Sequence, residues 1–279
     1  MAAPIVAADD GGHSLRLPEP AHRIVSLNPT ITELLFAIGA GGRLVGRTRW
    51  CDWPPAALKV PSVGEGFPPN VEAVIARHPD LAIAYSTAMN EPALAQLRNL
   101  GVPVLALRTD RLEDLARAAR LLGQVTGQTQ AGDSVAAAVE KAVADGELLS
   151  KSNRRVPTVV ILAWDSPPIA IGRSSYLHQI VQMAGGRNLF GDLPQSSVPV
   201  SLEAIAARNP EVILATGDVR AALIRRPEWQ AVPTVREGRV LALDDPALAR
   251  PGLRALTGIA PLRARLARLV TSSSLEIVR

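Results

Sequence analysis

The sequence predicts an α/β protein of two similar lobes, each built on a parallel sheet, joined by one long helix. The first observation is an internal repeat: residues 70–85 and 201–216 align without gaps and share Glu, Ala, Arg and Pro at matching places. Each copy is typical of a short helix that is stopped by Pro and followed by a buried strand. The second observation is a helical pattern from Thr129 to Ser152, which falls between the two copies. A spacing this wide excludes a solenoid, whose period is far shorter.

The length of 279 residues is sufficient for two domains of roughly 100–150 residues each. The repeat places an amino-terminal lobe at residues 1–127, the linking helix at 128–153 and a carboxyl-terminal lobe at 154–279. Hydrophobic residues make up 47% of the chain and charged residues 20%, which is typical of a globular protein. No apolar run is long enough to span a bilayer.

The formal net charge of +4 does not indicate nucleic-acid binding, because the basic residues are scattered singly and seldom alternate with aromatics. Cys51 is the only cysteine, which excludes an internal disulfide and a cysteine-based metal cluster. Residues 1–10 lack the basic start and the long apolar run of a secretory signal. At this point the protein is expected to be either cytoplasmic, or extracytoplasmic with its signal sequence removed.

The first lobe is predicted to alternate strands and helices, which implies a parallel sheet with right-handed crossovers. Its elements are an extended lead-in (1–22) with a turn at 9–12 and a strand at 15–18, a strand at 23–27, a helix at 31–38, strands at 44–46 and 81–84, a helix at 91–100, a strand at 102–107 and a helix at 111–122. Asn28-Pro29-Thr30 is expected to cap the first helix, with Glu33 in capping-box spacing from Thr30. The glycines at 39, 41 and 42 follow that helix, so they indicate its end and not a dinucleotide-binding turn, which has to follow a strand.

The second lobe is predicted to begin with a buried strand at 156–163. Its further elements are a helix at 174–184, a turn at Gly185-Gly186, a loop at 193–199, the second copy of the repeat, a helix at 219–224, a strand at 239–243 and a final helix to about Leu269, with residues 272–279 expected to fray.

The expected ligand site lies outside the carboxyl ends of the strands, where open α/β sheets bind their ligands. Aromatic residues are only 3% of the chain, yet Trp50, Trp53, Tyr85 and Trp164 all fall at these ends. The other residues expected there are Asn28, Pro29, Asp165, the loop 194–199 and residues 244–250. Ordinary packing is the alternative for each tryptophan, whereas a shared cleft with flat apolar faces suits a large, partly apolar ligand.

Patterns of catalytic and metal sites are missing from the sequence. The four histidines are isolated, without the spacing of metal ligands. No nucleophile elbow or phosphate-binding loop occurs, and the adjacent carboxylates Asp244 and Asp245 would point apart in an extended segment. We therefore expect no catalytic residue, no bound metal and a protein that is not an enzyme.

Glu72 and Glu203 occupy the same position in the two copies of the repeat, each at the start of a helix. One explanation is that their negative charges stabilise the helix amino ends. Because the two positions are related by the internal symmetry of the chain, the alternative is that they project from the two lobes and pair with arginines of a two-fold symmetric partner.

The chain resembles the substrate-binding proteins of ABC importers for vitamin B12, haem and ferric siderophores. The likeness extends over nearly the whole chain, and its most specific parts are the segments 23–33, 70–81, 184–190 and 200–203. The resemblance implies a class III periplasmic binding protein, in which two Rossmann-like lobes are joined by one long backbone helix. It also implies an extracytoplasmic protein, either periplasmic or membrane-anchored, whose signal sequence has been removed.

Within this family, the cobalamin-binding branch is the most similar. The segment Trp50-Cys51-Asp52-Trp53-Pro54-Pro55 resembles that branch's aromatic-x-Asp-aromatic-Pro-Pro loop, and Tyr85 and Trp164 fall at or near its aromatic positions in the cleft. Two of the branch's tryptophans are replaced here, by the segments 64–67 and 197–199. The resemblance implies that a corrinoid is captured in the cleft between the lobes, by Asn28, Pro29, Trp50, Trp53, Phe67, Tyr85, Trp164, Asp165, Ser197, Asp245 and Arg250.

The resemblance also implies the partners. Glu72 and Glu203 match two glutamates that dock such proteins on arginines of the permease, a transmembrane dimer. Cobalamin would then be the transported ligand and not a catalytic cofactor, and the protein is expected to act as a monomer.

Three alternatives stay open at this point. Haem carriers supply an axial ligand, for which Tyr85 or Tyr176 is a candidate, and siderophore binders place arginines in the cleft, for which Arg49, Arg173 and Arg250 are candidates. A protein of a different class, an intracellular enzyme or chaperone for a corrinoid or tetrapyrrole, would have no permease partner.

Overall fold

The computed structural model describes residues 4–151 and 155–276. The chain divides into two compact units, Met1–Glu140 (unit 1) and Lys141–Arg279 (unit 2). The long predicted helix is present as Thr129–Lys151 and crosses the boundary between the units, whereas its predicted last residues, 152–153, lie outside the described residues. The predicted α/β class with parallel sheets is confirmed, and the division of the chain at 127 and 154 stays a prediction.

Unit 1 is built on a four-stranded sheet of order β4-β3-β5-β6, in which every neighbouring pair is parallel. Its elements are β1 (Ile5–Ala8), β2 (Ser14–Leu17), β3 (Ile24–Ser26), α1 (Pro29–Ala37), β4 (Leu44–Arg47), α2 (Val71–Ile75), β5 (Leu81–Tyr85), α3 (Glu91–Asn99), β6 (Val104–Leu107), α4 (Leu112–Val125) and the first part of α5 (Thr129–Lys151). The strands β3, β5 and β6 are almost continuously buried and apolar, as expected for parallel strands with both faces covered.

Within the predicted lead-in, residues 5–17 form a β-hairpin, whose strand β1 was not anticipated. Its turn falls at 9–12 as predicted. The hairpin is attached beyond β6, because the Asp10 amide donates to the carbonyl of Ala106 (2.8 Å) and the Ala106 amide donates to the carboxylate of Asp9 (3.3 Å). The two strands have only four residues each, so the sequence pattern alone predicts them weakly. The long-range hydrogen bonds hold this segment in place.

Helix α1 begins two residues before the predicted start, so the prediction that it starts at Ile31 is wrong. Asn28 is the capping residue, and its side-chain oxygen accepts a hydrogen bond from the Thr30 amide (2.8 Å). Pro29 can then be the first helical residue, where its missing N–H costs no hydrogen bond. After the helix, Gly39 has a positive φ of 79°, which confirms that this glycine marks the helix end.

Unit 2 is built on a six-stranded mixed sheet with the path β10-β8-β7-β11-β12 and with β9 beside β7. Its elements are β7 (Thr158–Asp165), β8 (Pro168–Ile171), α6 (Tyr176–Met183), β9 (Arg187–Asn188), β10 (Ser197–Pro199), α7 (Leu202–Arg208), β11 (Val212–Ala215), α8 (Gly217–Arg225), α9 (Pro233–Arg236), β12 (Val240–Ala242), α10 (Leu253–Thr257) and α11 (Ile259–Glu276). The strands β7, β11 and β12 pair in parallel as predicted, and the two-residue β9, which was not predicted, pairs in parallel with β7.

Strands β8 and β10 pair antiparallel and were not predicted, and the segment of β10 was expected to be a loop. Prolines led to that assignment. Pro168 is, however, the first residue of β8, and Pro199 ends the edge strand β10, and both are positions where a sheet tolerates a proline.

The last helix continues past its predicted end at Leu269. Helix α11 runs to Glu276 and includes residues 272–276, which were expected to fray, while residues 277–279 lie outside the described residues. Serine is only a few tenths of a kcal/mol less favourable in a helix than the better helix formers, so a run of serines does not end a helix.

The internal repeat is visible in the hydrogen bonds that begin its helices. The Asn70 side chain accepts from the amide of Ala73 (3.0 Å) at the start of α2, and the Ser201 hydroxyl accepts from the amide of Ala204 (3.1 Å) at the start of α7. Both are side-chain caps to the third helical residue, so different residue types perform the same task in the two units.

The ends of the repeated helices correspond as well. His78 and Asn209 both adopt the left-handed conformation, with φ of 48° and 45°. Asp80 then accepts hydrogen bonds from backbone amides just before β3 (2.7–3.0 Å), and Glu211 accepts one from the first amide of β7 (2.7 Å). In each unit an acidic side chain therefore joins the repeat to the first buried strand of the sheet.

Candidate functional site

The carboxyl ends of the strands in unit 1 bring several predicted ligand contacts to one edge of its sheet. Strands β4, β3, β5 and β6 are parallel and end at Arg47, Ser26, Tyr85 and Leu107. The loops that follow these strands must then lie along the same edge, which is the usual ligand-binding edge of such a sheet.

Trp50 is held in place by charged neighbours. Its indole N–H donates to the Glu65 carboxylate (3.0 Å), and the same carboxylate pairs with the Arg49 guanidinium (2.8 Å). That guanidinium lies over the Trp50 ring, 4.3 Å from its centroid, in a cation–π contact. Glu65 was not predicted to lie in the site, because an acidic residue between two glycines carries no specific local signal.

Phe67 reaches the same edge through the turn that precedes it. Gly66 has a φ of 80° and lies so close to Thr48 that a Cβ atom would be 2.3 Å from the threonine methyl group. A side chain at this position is excluded by both the backbone and the packing. The close approach fixes residues 64–67 against the loop that follows β4.

The four tryptophans separate into two environments. The three tryptophans that were predicted to contact the ligand are exposed: Trp50 by 45%, Trp53 by 42% and Trp164 by 54%. The fourth, Trp229, is 1% exposed and belongs to the core of unit 2. Phe67 is also 51% exposed. Large exposed apolar side chains at a sheet's carboxyl edge are more informative than scattered ones, because they point to a partner that covers them.

Tyr85 is half-buried at the carboxyl end of β5. Its hydroxyl donates to the Asp110 carboxylate at 2.5 Å, and the Asn90 amide group donates to its backbone carbonyl (3.0 Å). Burial, the hydrogen bond to Asp110 and the charge of that carboxylate raise the pKa of Tyr85. The phenol is therefore neutral across the physiological range.

Asn28 and Pro29 have structural tasks at this edge. The Asn28 side-chain oxygen caps α1, and its side-chain nitrogen donates to the Thr109 hydroxyl (3.3 Å) in the loop after β6. Asn28 is buried, and Pro29 is the first residue of the helix. These bonds tie two loops of the edge together, and a direct contact of either residue with a ligand stays a prediction.

In unit 2, the parallel strands β7, β11 and β12 end at Asp165, Ala215 and Ala242. Trp164 is the last but one residue of β7, and its indole N–H donates to the carbonyl of Ser166 (3.0 Å). Asp165 is buried and pairs with the Arg226 guanidinium (3.1 Å). Its negative charge thus faces the positive charge of a partly exposed arginine.

The loop after β12 contains Asp245 and Arg250. Asp245 accepts a hydrogen bond from the amide of Ala247 (2.9 Å), so it stabilises the turn. The Tyr176 hydroxyl donates to the carbonyl of Leu248 (2.8 Å). Burial raises the pKa of the Tyr176 phenol, and the positive charge of Arg250 acts in the opposite direction.

Ser197 lies away from the carboxyl end of its strand. It begins β10 and pairs with Ile171, while Pro199 pairs with Ile169 at the other end. Strand β10 runs in the same direction as β7, so Pro199 is the residue of this strand that lies nearest the edge with Trp164.

Glu72 and Glu203 are exposed second residues of α2 and α7. Each helix is followed, after a short connection, by a parallel strand of its own sheet. The backbone amide of Glu203 and the Ser201 hydroxyl lower the pKa of the Glu203 carboxylate. These hydrogen bonds hold the side chain in its charged form.

Within residues 4–151 and 155–276, no group of three His, Cys, Asp or Glu side chains is placed to hold a metal ion. Over the same described residues, no helix combines the length and apolar character that crossing a membrane requires.

The sequence model of the family described as periplasmic binding protein matches residues 24–247. The vitamin B12-binding protein of Vibrio cholerae serotype O1 is 29% identical over 246 residues, which are 88% of this chain and 89% of that protein. Among solved structures, the periplasmic heme-binding protein RhuT from Roseiflexus sp. RS-1 has a TM-score of 0.78 at 28% identity, over 89% of this chain and 99% of that chain. The periplasmic vitamin B12 binding protein BtuF of Vibrio cholerae has a TM-score of 0.76 at 27% identity, over 90% and 99%.

Proposed function

The chain belongs to the periplasmic binding protein family, and we propose that it is the substrate-binding protein of an ABC importer for cobalamin or a related corrinoid. It is then a carrier and not an enzyme, it works outside the cytoplasm, and the corrinoid is its cargo. Its similarity to the vitamin B12-binding protein of Vibrio cholerae supports this choice of ligand.

The exposed aromatic side chains at the carboxyl edges carry the proposal. Trp50, Trp53 and Phe67 in unit 1 and Trp164 in unit 2 offer flat apolar faces where α/β sheets bind ligands. A corrinoid is a large ring system that can be held by apolar contact and hydrogen bonds, without a protein ligand to cobalt. The uneven distribution of the few aromatics of this chain is explained by such a ligand.

The charged groups of these edges favour the same choice. Of the three arginines that a siderophore could use, Arg49 is paired with Glu65, so its positive charge is compensated by a carboxylate. A site for an anionic ferric chelate would instead present arginines with charge to spare. Haem is the second candidate, because the structure of RhuT, a periplasmic heme-binding protein, superimposes on this chain with a TM-score of 0.78.

Delivery to the permease is proposed to use Glu72 and Glu203. Both are exposed at equivalent positions of the repeat, and each is the second residue of its helix. Two carboxylates in equivalent settings suit arginines on the two subunits of a symmetric transmembrane dimer.

The ligand is tested by calorimetric titration of the purified protein with cyanocobalamin, haemin and a ferric hydroxamate in parallel. We expect one-to-one binding of cyanocobalamin and much weaker binding of the other two. Binding of haemin alone would replace the corrinoid by the second candidate, and binding of the ferric hydroxamate alone would move the recognition to arginines.

A further inference from the structure

The short hydrogen bond between Tyr85 and Asp110 follows from the register of the sheet. Tyr85 is the last residue of β5 and pairs with Leu107, the last residue of β6. Asp110 follows three residues later, in the loop that passes over the same edge. The Tyr85 hydroxyl donates to its carboxylate at 2.5 Å, at the short limit for an O–H donor and a carboxylate.

Both partners are fixed by further hydrogen bonds to their backbones. The buried Asn90 donates to the Tyr85 carbonyl (3.0 Å), and the Asp110 amide donates to the Asp114 carboxylate (3.0 Å) at the start of α4. Neither Tyr85 nor Asp110 can then move away without breaking a bond elsewhere. The geometry is that of an oriented phenol and not of a surface tyrosine with a chance partner.

The charges around the phenol oppose its ionisation. Burial of the phenol is the largest cause that raises the pKa of Tyr85. The hydrogen bond to Asp110 and the charges of Asp110 and Asp114 also raise it, while the charge of Arg108 lowers it. A phenolate here would lie 2.5 Å from the Asp110 carboxylate, so two negative charges would share one partly buried site. The net result is a raised pKa for Tyr85.

Coordination chemistry gives this arrangement a consequence for the ligand. A tyrosine that serves as the axial ligand of haem supplies an oxygen to the iron, and ferric iron prefers the phenolate. Here that oxygen carries a proton that is donated to a carboxylate. We propose that Asp110 is a specificity-determining residue, which keeps Tyr85 neutral so that its ring can face a ligand while its oxygen cannot coordinate ferric haem. This proposal rests on the proposed function in taking Tyr85 as a ligand contact.

The role of Asp110 is tested by the ionisation of Tyr85. The chain has only two tyrosines, so the substitution Tyr176→Phe leaves Tyr85 as the sole phenol. In that background, Asp110→Asn keeps a hydrogen-bond acceptor of the same size but removes the negative charge. We expect the apparent pKa of Tyr85, followed by the ultraviolet absorbance of the phenolate, to fall by about one unit or more. Asp133→Asn, on α5, removes a carboxylate elsewhere in unit 1 and should leave this pKa unchanged.

A second measurement uses haemin as the probe. The absorption spectrum of the unsubstituted protein with haemin should match that of Tyr85→Phe and should lack a ferric phenolate band. A phenolate band that is present in the unsubstituted protein and lost in Tyr85→Phe would overturn the proposal. An unchanged pKa in Asp110→Asn would overturn it as well.

Failure of the proposed function is recognised separately. If cyanocobalamin does not bind to the unsubstituted protein, the corrinoid assignment is refuted, while the pKa of Tyr85 in Asp110→Asn still decides the role of Asp110. Binding of cyanocobalamin together with an unchanged pKa would retain the proposed function and remove the role of Asp110.

Discussion

Replacing Trp164 by Ala is the perturbation whose size the structure defines best. The side chain is 54% exposed and makes one hydrogen bond, from its indole N–H to the Ser166 carbonyl. Its contribution to folding is therefore small, and we expect the free energy of unfolding to fall by less than about 1 kcal/mol. The main loss should be in ligand binding.

The magnitude follows from the apolar area that a ligand would cover. An aromatic side chain buries about 150–250 Å², so the exposed half of Trp164 offers roughly 100 Å² to a ligand, which at about 25 cal/mol per Å² corresponds to about 2.5 kcal/mol. A loss of that size weakens binding by roughly 50–100-fold. We expect the dissociation constant for cyanocobalamin, measured by calorimetry, to rise by such a factor in Trp164→Ala.

The matched control is Ile224→Ala. Ile224 lies on α8 in the same unit and is 45% exposed, but it is not one of the predicted ligand contacts. Its substitution should leave the dissociation constant within about twofold of the unsubstituted value, well below the 1.4 kcal/mol of a tenfold change. If Trp164→Ala binds as tightly as Ile224→Ala, the argument from exposed aromatic faces is refuted for unit 2.

Three further predictions concern the other parts of the account. Reversing the charges of Glu72 and Glu203 together to Lys should abolish cobalamin uptake in a transport assay while the affinity for cyanocobalamin stays unchanged, because both side chains are exposed and neither is among the expected ligand contacts. Gly66→Ala should displace its loop, because the new Cβ atom would lie 2.3 Å from a neighbouring side chain. We expect the free energy of unfolding to fall by about 1–3 kcal/mol, measured by thermal unfolding, and cyanocobalamin binding to weaken, measured by calorimetry. Burial acts to raise the pKa of Glu211, but hydrogen bonds from a strand amide and an arginine lower it overall. The charged Glu211 therefore stabilises the fold at pH values above the ordinary pKa of Glu, and this stabilisation is lost as the pH falls through its own lower pKa. Glu211→Gln should then lower the melting temperature more at neutral pH than at acid pH.

Each of these has its own control. Glu147→Lys reverses an exposed charge on α5 and should not affect uptake, and equal loss of uptake in this variant would remove the docking role. Gly64 has a φ of 99°, but the space around a Cβ atom at this position is open, so Gly64→Ala should strain the backbone without displacing Phe67. Equal loss of affinity in Gly64→Ala and Gly66→Ala would contradict the packing argument. A pH-independent effect of Glu211→Gln would contradict the electrostatic one.

Elements with a strong local pattern could be predicted from the sequence. The repeat located α2 and β5 in unit 1 and α7 and β11 in unit 2, because an apolar strand after a proline-terminated helix is a local signal. Strand β10 was missed because its partner β8 lies well before it in the chain and because its proline indicated a loop, and β8, which forms a hairpin with β7, was not predicted either. The start of α1 was misplaced by two residues, because Asn28 and Thr30 are both good capping residues and only the structure distinguishes them.

The candidate site shows the same division. Trp50, Trp53 and Trp164 could be assigned to strand ends from the chain order alone. Glu65 and Asp110, which orient Trp50 and Tyr85, could not, because an isolated acidic residue acquires its partner only through the register of neighbouring strands and loops. The hydrogen bond from Tyr85 to Asp110 therefore depends on the tertiary structure.

The crystal structure of the protein with bound cyanocobalamin is the measurement that tests the central claim most directly. The account predicts that the corrin ring contacts Trp50, Trp53 or Phe67 of unit 1 and Trp164 of unit 2, with no protein side chain bound to cobalt. A ligand held chiefly by arginines, or a complex in which these aromatic side chains stay exposed, would contradict it.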